Sequence, residues 1–531
     1  MAAAADLACD DQAAVIEFLS SPQAYGLAAG ARVERIDTHA AAVFLVGERV
    51  YKLKRAVRFP FLDFSTGDRR RRFCADEVTL NRRTAPDLYL GVAPVLRANG
   101  GLRLGPVVPP DRVPEEAEDW VVVMRRFEQE TLLARVAERG ELTAAMVSEL
   151  ARAIARFHAQ ARREPGNGGG EVLRHTVAMD VQQMQARGDL LDAGLTVELA
   201  RLMPQEAARQ AALADRRRAS GAVRRCHGDL HLKNIYLAAS GPQPFDGIEF
   251  NDRLSCIDIL YDLSFLLMDL DFRGLRELAN LALNTWLWHS DEKDEEALAA
   301  LALLPIYLAR RSAIRAHVDA AGVPHVEDAA EAVRQRATAR RYQAYARALF
   351  PPARPQLVAV GGLSGTGKTT LAMALAPDLD PAPGAVVVRS DVVRKRLAGI
   401  ALEERMPAGW YTPQHSAAVY DEVHRLAAIA LQAGRSVILD AVYARPQERA
   451  AAEDVARSAA LPFAGLWLEA PTATLKRRVA ARQADASDAT VAVVDRQAEY
   501  AVGDIAWRRL DATQELGELR RRAASVLRRR P

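Results

Sequence analysis

Apolar positions fall into two textures along this chain. Up to about residue 126 they come in short runs of β character: Val43-Phe-Leu-Val46, Val50-Tyr-Lys-Leu-Lys54 and Trp120-Val-Val-Val-Met124. Short β-branched and aromatic runs bounded by turn residues predict strands. Between them, 68–83 has helical spacing. From Leu142 onward the spacing is helical, interrupted by the Gly-rich loop Pro165–Gly170 and by strand-like runs around 224–250. Residues 254–349 are helical again. A small strand-rich lobe followed by a larger helical lobe is expected.

Three prolines in five residues, Pro351-Pro352-Ala353-Arg354-Pro355, stop the preceding helix. Beyond them strands and helices alternate. Leu357–Val360, Ala385–Val388, Ser436–Leu439 and Gly465–Leu468 are each followed by a helical pattern, which predicts a parallel sheet covered on both faces. The expected domains are therefore 1–350 and 351–531.

Composition narrows this little. The chain has 531 residues, half of them hydrophobic and 26% charged, with 71 Lys+Arg against 68 Asp+Glu, a net charge of +3. That balance argues against a protein built to coat nucleic acid. Four scattered cysteines without a CxxC pair make neither a disulfide framework nor a zinc cluster, and a reduced, cytoplasmic protein is expected. Met1–Asp6 lacks the features of a signal peptide, and no membrane span is expected. The abundance of Ala and Arg suggests a GC-rich bacterial genome.

The densest chemistry lies at Gly362-Leu-Ser364-Gly365-Thr366-Gly367-Lys368-Thr369-Thr370, a G-x-x-x-x-G-K-[ST] pattern after an apolar strand and before a helical run. Glycines let successive N–H groups point into one concavity, and the helix N-terminus adds partial positive charge beneath the phosphates. Lys368 reaches the outer phosphates and the Thr369 hydroxyl binds Mg²⁺. Asp391 follows the next strand, placed to accept the proton of a substrate hydroxyl or simply to cap the following helix. Arg394 shares its helical face and can hold the acceptor. Asp440 ends a third strand, where an acid holds Mg²⁺ or caps the turn. Arg478 and Arg482, four apart, read as lid cations that clamp the transferring phosphoryl group.

A second constellation lies upstream. Cys226-His227-Gly228-Asp229-Leu230-His231-Leu-Lys-Asn234 sets an acid and an amide five residues apart: Asp229 to accept a hydroxyl proton, Asn234 to bind Mg²⁺. Phe245-Asp246-Gly-Ile248-Glu249 supplies a further metal-binding carboxylate, Glu249 or Asp246. Lys52 and Lys54 share one strand face, so either can reach phosphates, with Glu77 as partner. His227 and His231, four apart, are not read as zinc ligands, because the segment reads as a loop with Asp229 between them, and His227 is read as a brace of that loop.

The C-terminal motifs resemble the small P-loop kinases of the polynucleotide kinase, gluconate kinase and zeta-toxin kind, over about 356–531. The resemblance implies ATP as donor and a hydroxyl as acceptor. The upstream motifs, with Met124-Arg-Arg-Phe127 as hinge and Asp262 as a structural acid, resemble the aminoglycoside phosphotransferase and choline-kinase branch of the protein-kinase-like fold, over roughly 20–350. Ile248-Glu249 departs from that branch's usual Ile-Asp pair, and the loop Asp37–Ala41 lacks its glycine signature. The order of the two parts resembles bacterial fusions of an aminoglycoside phosphotransferase-like domain with an ATP-binding domain. The fold expected is thus an α+β bilobal kinase-like domain followed by an α/β P-loop domain. Nothing points to aminoglycosides, since the acidic run Asp291–Glu296 reads as a solvated helix start. Three functions are consistent with this: a kinase of small molecules with two ATP sites, a one-site kinase whose first domain only binds, or an ATP-switched, toxin-like module acting on a macromolecule.

Overall fold

A computed structural model describes residues 10–28, 30–59, 61–98, 100–350, 354–481 and 488–528. The chain gathers into two compact units. One comprises Met1–Ala153, Phe157–Gly168 and Gly221–Phe265; the other comprises Ile154–Arg156, Gly169–Ser220 and Leu266–Pro531.

The first unit is built on an antiparallel sheet of β1 (Glu34–Asp37), β2 (Ala41–Val46), β3 (Arg49–Lys54), β4 (Tyr89–Ala98), β5 (Gly101–Leu104) and β6 (Asp119–Arg125), in the order β1-β2-β3-β6-β4-β5. Strand β6 reads as a continuous apolar run because both its faces are covered. Val121 and Val123 pack with Phe44, Tyr51 and Leu53 on one side, while Trp120, Val122 and Met124 pack with Cys74 and Val78 on the other. The last two belong to helix α1 (Gly67–Asn81), so α1 lies on the face that carries Lys52 and Lys54. β1, β4 and β5 escaped the sequence reading. β1 is exposed throughout, and Gly91 and Pro94 break the pattern of β4. Gly91 is in β4 because a side chain there would strike Val108 O, 2.4 Å from its Cβ position.

The second unit contains a helical part and a parallel sheet. The sheet strands are β7 (Leu357–Gly362), β8 (Val386–Arg389), β9 (Val437–Asp440), β10 (Phe463–Glu469) and β11 (Arg508–Asp511), in the order β8-β9-β7-β10-β11. Four match the predicted strands; β11 has one buried residue and gave no apolar signal. Val358, Val360, Val387, Ile438, Leu466, Leu468 and Leu510 form the sheet's contribution to a core with Leu371 and Leu375. Order reverses around β7, so the carboxyl ends of β7, β8 and β9 open onto the crevice where such sheets bind ligands.

Strand β8 is an edge, but its outward polar groups are covered. From helix α2 (Arg276–His289), Asn280 and Asn284 Nδ2 donate to Ala385 O at 3.0 and 3.1 Å. Val387 N donates to Asn284 Oδ1 at 2.8 Å, and Trp288 Nε1 donates to Val387 O at 3.0 Å. Each such group left unpaired in a buried setting would cost about 1–3 kcal/mol.

The acidic run Asp291–Glu296 is a helix start that is solvated only in part, with Asp291 and Glu295 exposed. Helix α3 (Asp294–Ala300) begins in it, but buried Glu292 pairs with Arg217, and Asp294 pairs with Arg396 at 2.6 Å. Charge run alone could not reveal partners so distant in sequence. The stretch 294–325 is long and apolar enough to cross a membrane by length and composition, and 78% of its most apolar window is buried inside the protein. Within it Arg310 binds buried Asp180 at 2.8 Å.

Candidate active sites

In the first unit, the alternation of β3 puts both lysines over α1, and Glu77 receives both. Lys52 Nζ lies 2.9 Å from Glu77 Oε1, and Lys54 Nζ lies 2.5 Å from Oε2. Each lysine continues to one of the two candidate metal acids. Lys52 reaches Asp246 at 2.7 Å, and Lys54 contacts Glu249. The bridges differ in environment. The side chains of Lys54 and Glu77 are 2% and 0% exposed, whereas those of Lys52 and Asp246 are 20% and 46% exposed. Burial works to raise the Glu77 carboxyl, but its two lysines outweigh it and hold the pKa at about 2. Glu249 is raised, because burial and the charge of Glu77 prevail over the lysines. Asp246 holds a left-handed backbone, φ 61°, with its N–H on the Tyr89 hydroxyl.

The segment 226–234 is braced from behind. Asp262 accepts from His227 N at 3.1 Å and Gly228 N at 2.8 Å, and bonds His158 Nε2 at 3.0 Å. His158, Cys226 and Asp262 thus form a buried group with metal-ligand chemistry, but the Asp262 carboxylate is spent on the loop. His227 Nδ1 accepts from Asp229 N, and its Nε2 bonds Phe245 O at 3.0 Å. One ring therefore ties the Asp229 loop to the segment bearing Asp246. Asn234 Nδ2 donates to Asp229 Oδ2 at 2.7 Å, so its amide oxygen is the atom on offer to a ligand. His231 Nδ1 accepts from Lys233 N, capping a short turn. The sequence reading missed Asn81, at the end of α1, and Tyr89, on β4, whose side chains accept from Gly247 N and Asp246 N.

In the second unit, Gly362–Thr369 forms a tight turn between β7 and helix α4 (Lys368–Leu375), whose N-cap is Gly367 at φ 88°. Lys368 Nζ donates to Leu363 O at 3.1 Å, Thr366 Oγ1 donates to the same carbonyl at 2.8 Å, and Ser364 N donates to Gln497 Oε1 at 2.7 Å. Thr370 is exposed. Thr369 Oγ1 donates to Asp440 Oδ2 at 2.6 Å, and Arg389 Nε lies 3.6 Å from the same oxygen. Burial raises the Asp440 carboxyl against the pull of Arg389 and Lys368. Behind it Tyr443 holds φ 53°, its N–H on the Tyr420 hydroxyl. Non-glycine residues in this region store strain, often at functional sites.

Asp391 sits in the first turn of helix α5 (Ser390–Ala398), whose N-cap is Arg389 without a side-chain cap bond. The helix does not use Asp391 as its cap. Arg394 is buried; its Nη1 donates to Trp410 O at 3.0 Å, its guanidinium stacks 5.1 Å from the Tyr411 ring, and its Nε has no hydrogen-bond partner among the described residues. Arg478, on helix α6 (Thr472–Ala480), donates to Ala512 O at 2.8 Å. Arg482 lies outside the described residues. The sequence reading also missed Asp488. Its Oδ2 accepts from Met406 N at 2.9 Å and Tyr411 OH at 3.4 Å and lies 3.6 Å from Lys395, so it pins the segment that carries Tyr411. In the sequence it is only the second acid of Ala484-Asp-Ala-Ser-Asp488, with no motif around it.

Residues 87–304 match the phosphotransferase enzyme family model, and residues 357–502 match an AAA domain model. Over 485 residues the chain is 32% identical to "Uncharacterized protein Rv2004c" of Mycobacterium tuberculosis, spanning 88% of this chain and 90% of that one. It belongs to that protein's family. This chain joins a phosphotransferase-type, kinase-like region to a P-loop domain with a parallel sheet, the fold class read from the motifs. Among solved structures, the chain is similar to a choline/ethanolamine kinase family protein from Mesorhizobium loti, at 16% identity over 61% of this chain and 90% of that one, TM-score 0.35. It is also similar to a gluconokinase from Sinorhizobium meliloti, at 20% identity over 33% and 93%, TM-score 0.25.

Proposed function

We propose that each half of this family member moves the γ-phosphoryl group of ATP to a hydroxyl of a small-molecule acceptor. The observation that carries the reading is the Thr369–Asp440 hydrogen bond at the foot of the glycine-rich turn. A hydroxyl and a carboxylate side by side are the hard oxygen donors Mg²⁺ prefers. Bound there, the ion would neutralise charge on the phosphate oxygens. Lys368 and the N–H groups of Gly362–Thr370 bind the phosphates. Asp391 accepts the acceptor's proton, Arg394 holds the acceptor, and Arg478 with Arg482 offsets negative charge in the transition state.

In the first unit Asp229 accepts the proton. Asn234 with Asp246 or Glu249 supplies oxygen donors, and Lys52 or Lys54, oriented by Glu77, faces the phosphates. The near-neutral charge favours a small acceptor over nucleic acid, and free, buried Cys74, Cys226 and Cys256 suit a cytoplasmic setting.

The test is ATP turnover by Lys368→Ala and Asp229→Ala, singly and together, against a metabolite pool with labelled ATP. Each single variant should retain part of the turnover and the double variant none. Loss of all turnover in Lys368→Ala alone would leave the first unit a binding domain. Full turnover in all three would remove phosphotransfer in favour of an ATP-switched module.

A further inference from the structure

Asp391 lies two residues beyond β8, so its position depends on where that edge strand ends. The outward groups of β8 repeat every two residues, about 6.6 Å apart. Side chains four apart on a helix advance about 6 Å along one stripe. Asn280, Asn284 and Trp288 occupy such a stripe on α2 and are 1%, 3% and 5% exposed. They take Ala385 O, Val387 N and Val387 O in turn. The helix stands in for a sixth strand. The same region grips the helix that follows. Arg396, near the far end of α5, donates to Trp288 O and Glu292 O at 3.1 Å each and to Ser290 O at 3.5 Å, and pairs with Asp294. Both arms of the β8–α5 corner, with Asp391 at its bend and Arg394 one turn on, are therefore held by residues 280–294. All of these lie outside the segment that matches the AAA domain model.

We propose that Asn280, Asn284 and Trp288 are positioning residues for the P-loop site, fixing Asp391 relative to Lys368 through the edge of β8. The P-loop site is thereby completed by a helix that the chain's first family match contributes. The inference rests on the proton-accepting role proposed for Asp391. Hydrogen bonds of fixed direction at strand register transmit a displacement of α2 to the strand end, and catalytic geometry is sensitive to shifts of about 1 Å.

The experiment uses the full chain with Asp229→Ala, which silences the other proposed site, and MgATP with water as acceptor. Asn280→Ala with Asn284→Ala should lower kcat about 10- to 100-fold while KM for MgATP stays within about twofold. Asn284→Asp, which keeps an oxygen for Val387 N–H, should retain more turnover than Asn284→Ala. Trp288→Phe keeps the ring and removes one donor, and should give an intermediate loss. Amide exchange should quicken over 386–398 and stay unchanged over 357–362 and 368–375. Unchanged kcat with unchanged exchange overturns the proposal. So does a loss in which KM, kcat and exchange throughout the sheet worsen together, since the side chains are then merely structural. Asp391→Ala is the separate control. If it leaves turnover untouched, the role of Asp391 fails, and exchange over 386–398 alone decides whether α2 holds the strand.

Discussion

Glu77 takes two ammonium groups on one buried carboxylate, and the two lysines are not equivalent. Removing one partner of a buried pair leaves the other charge uncompensated, at about 3–5 kcal/mol. Lys54→Met leaves Glu77 with Lys52 alone and takes from buried Glu249 its lysine, and should unfold in denaturant with a loss of that size. Lys52→Met, at a position 20% exposed, should cost much less stability and show instead in KM for ATP at the first site. The pH dependence follows from the depressed Glu77 carboxyl. Its folded pKa, about 2, lies below the ordinary 4.5. The stability it contributes is complete above about pH 4.5 and is lost as pH falls toward 2. Glu77→Gln should therefore be less stable than the parent at pH 7, and the denaturation midpoints should converge on acidification. Divergence instead would mean that the lysines do not hold this carboxyl ionised.

Among elements, the turn between β7 and α4 was the most legible, because its glycines answer a steric demand that sequence states directly. A Cβ on Gly365, at φ +85°, would lie 2.8 Å from Leu475 O and 3.0 Å from Val479 Cγ2 on α6. Gly365→Ala should destabilise the second unit by about 1–3 kcal/mol and weaken nucleotide binding at least about tenfold, read by calorimetry in the Asp229→Ala background. The strands β7 to β10 were legible as apolar runs because a parallel sheet is covered on both faces. β1 and β11 were not, lying at edges with little buried side chain. The candidate chemistry was readable wherever motif spacing is local, as in Asp229–Asn234 or Gly362–Thr369. It was unreadable where partners come from far apart. Asp488 on the Tyr411 segment, Asn81 under Gly247 and Glu292 on Arg217 are all pairings that folding alone creates.

At the scale of the whole molecule, the two proposed nucleotide sites, of unrelated fold, make a thermodynamic prediction. A ligand that binds only the folded state stabilises it by about 2.7 kcal/mol at a hundred times its Kd. MgATP should raise the melting temperature of the parent, and Lys368→Ala and Asp229→Ala should each remove part of the rise. A rise abolished by Lys368→Ala alone would mean that the first unit does not bind ATP. The domain partition at residue 350 is an expectation from sequence texture and motifs. Packing crosses it, since Leu266–Pro531 gathers into one compact unit.

That crossing has a consequence for anyone who cuts the chain at the proline-rich join. A fragment of residues 354–528 would carry an uncapped β8, with Ala385 O and Val387 N–H and O turned to solvent. An open edge of this kind is a template for another copy. Light scattering should find the fragment self-associating edge to edge, and fusing 276–300 back onto it should return monomers. In the intact protein the asparagines of α2 thus also act as a guard against aggregation.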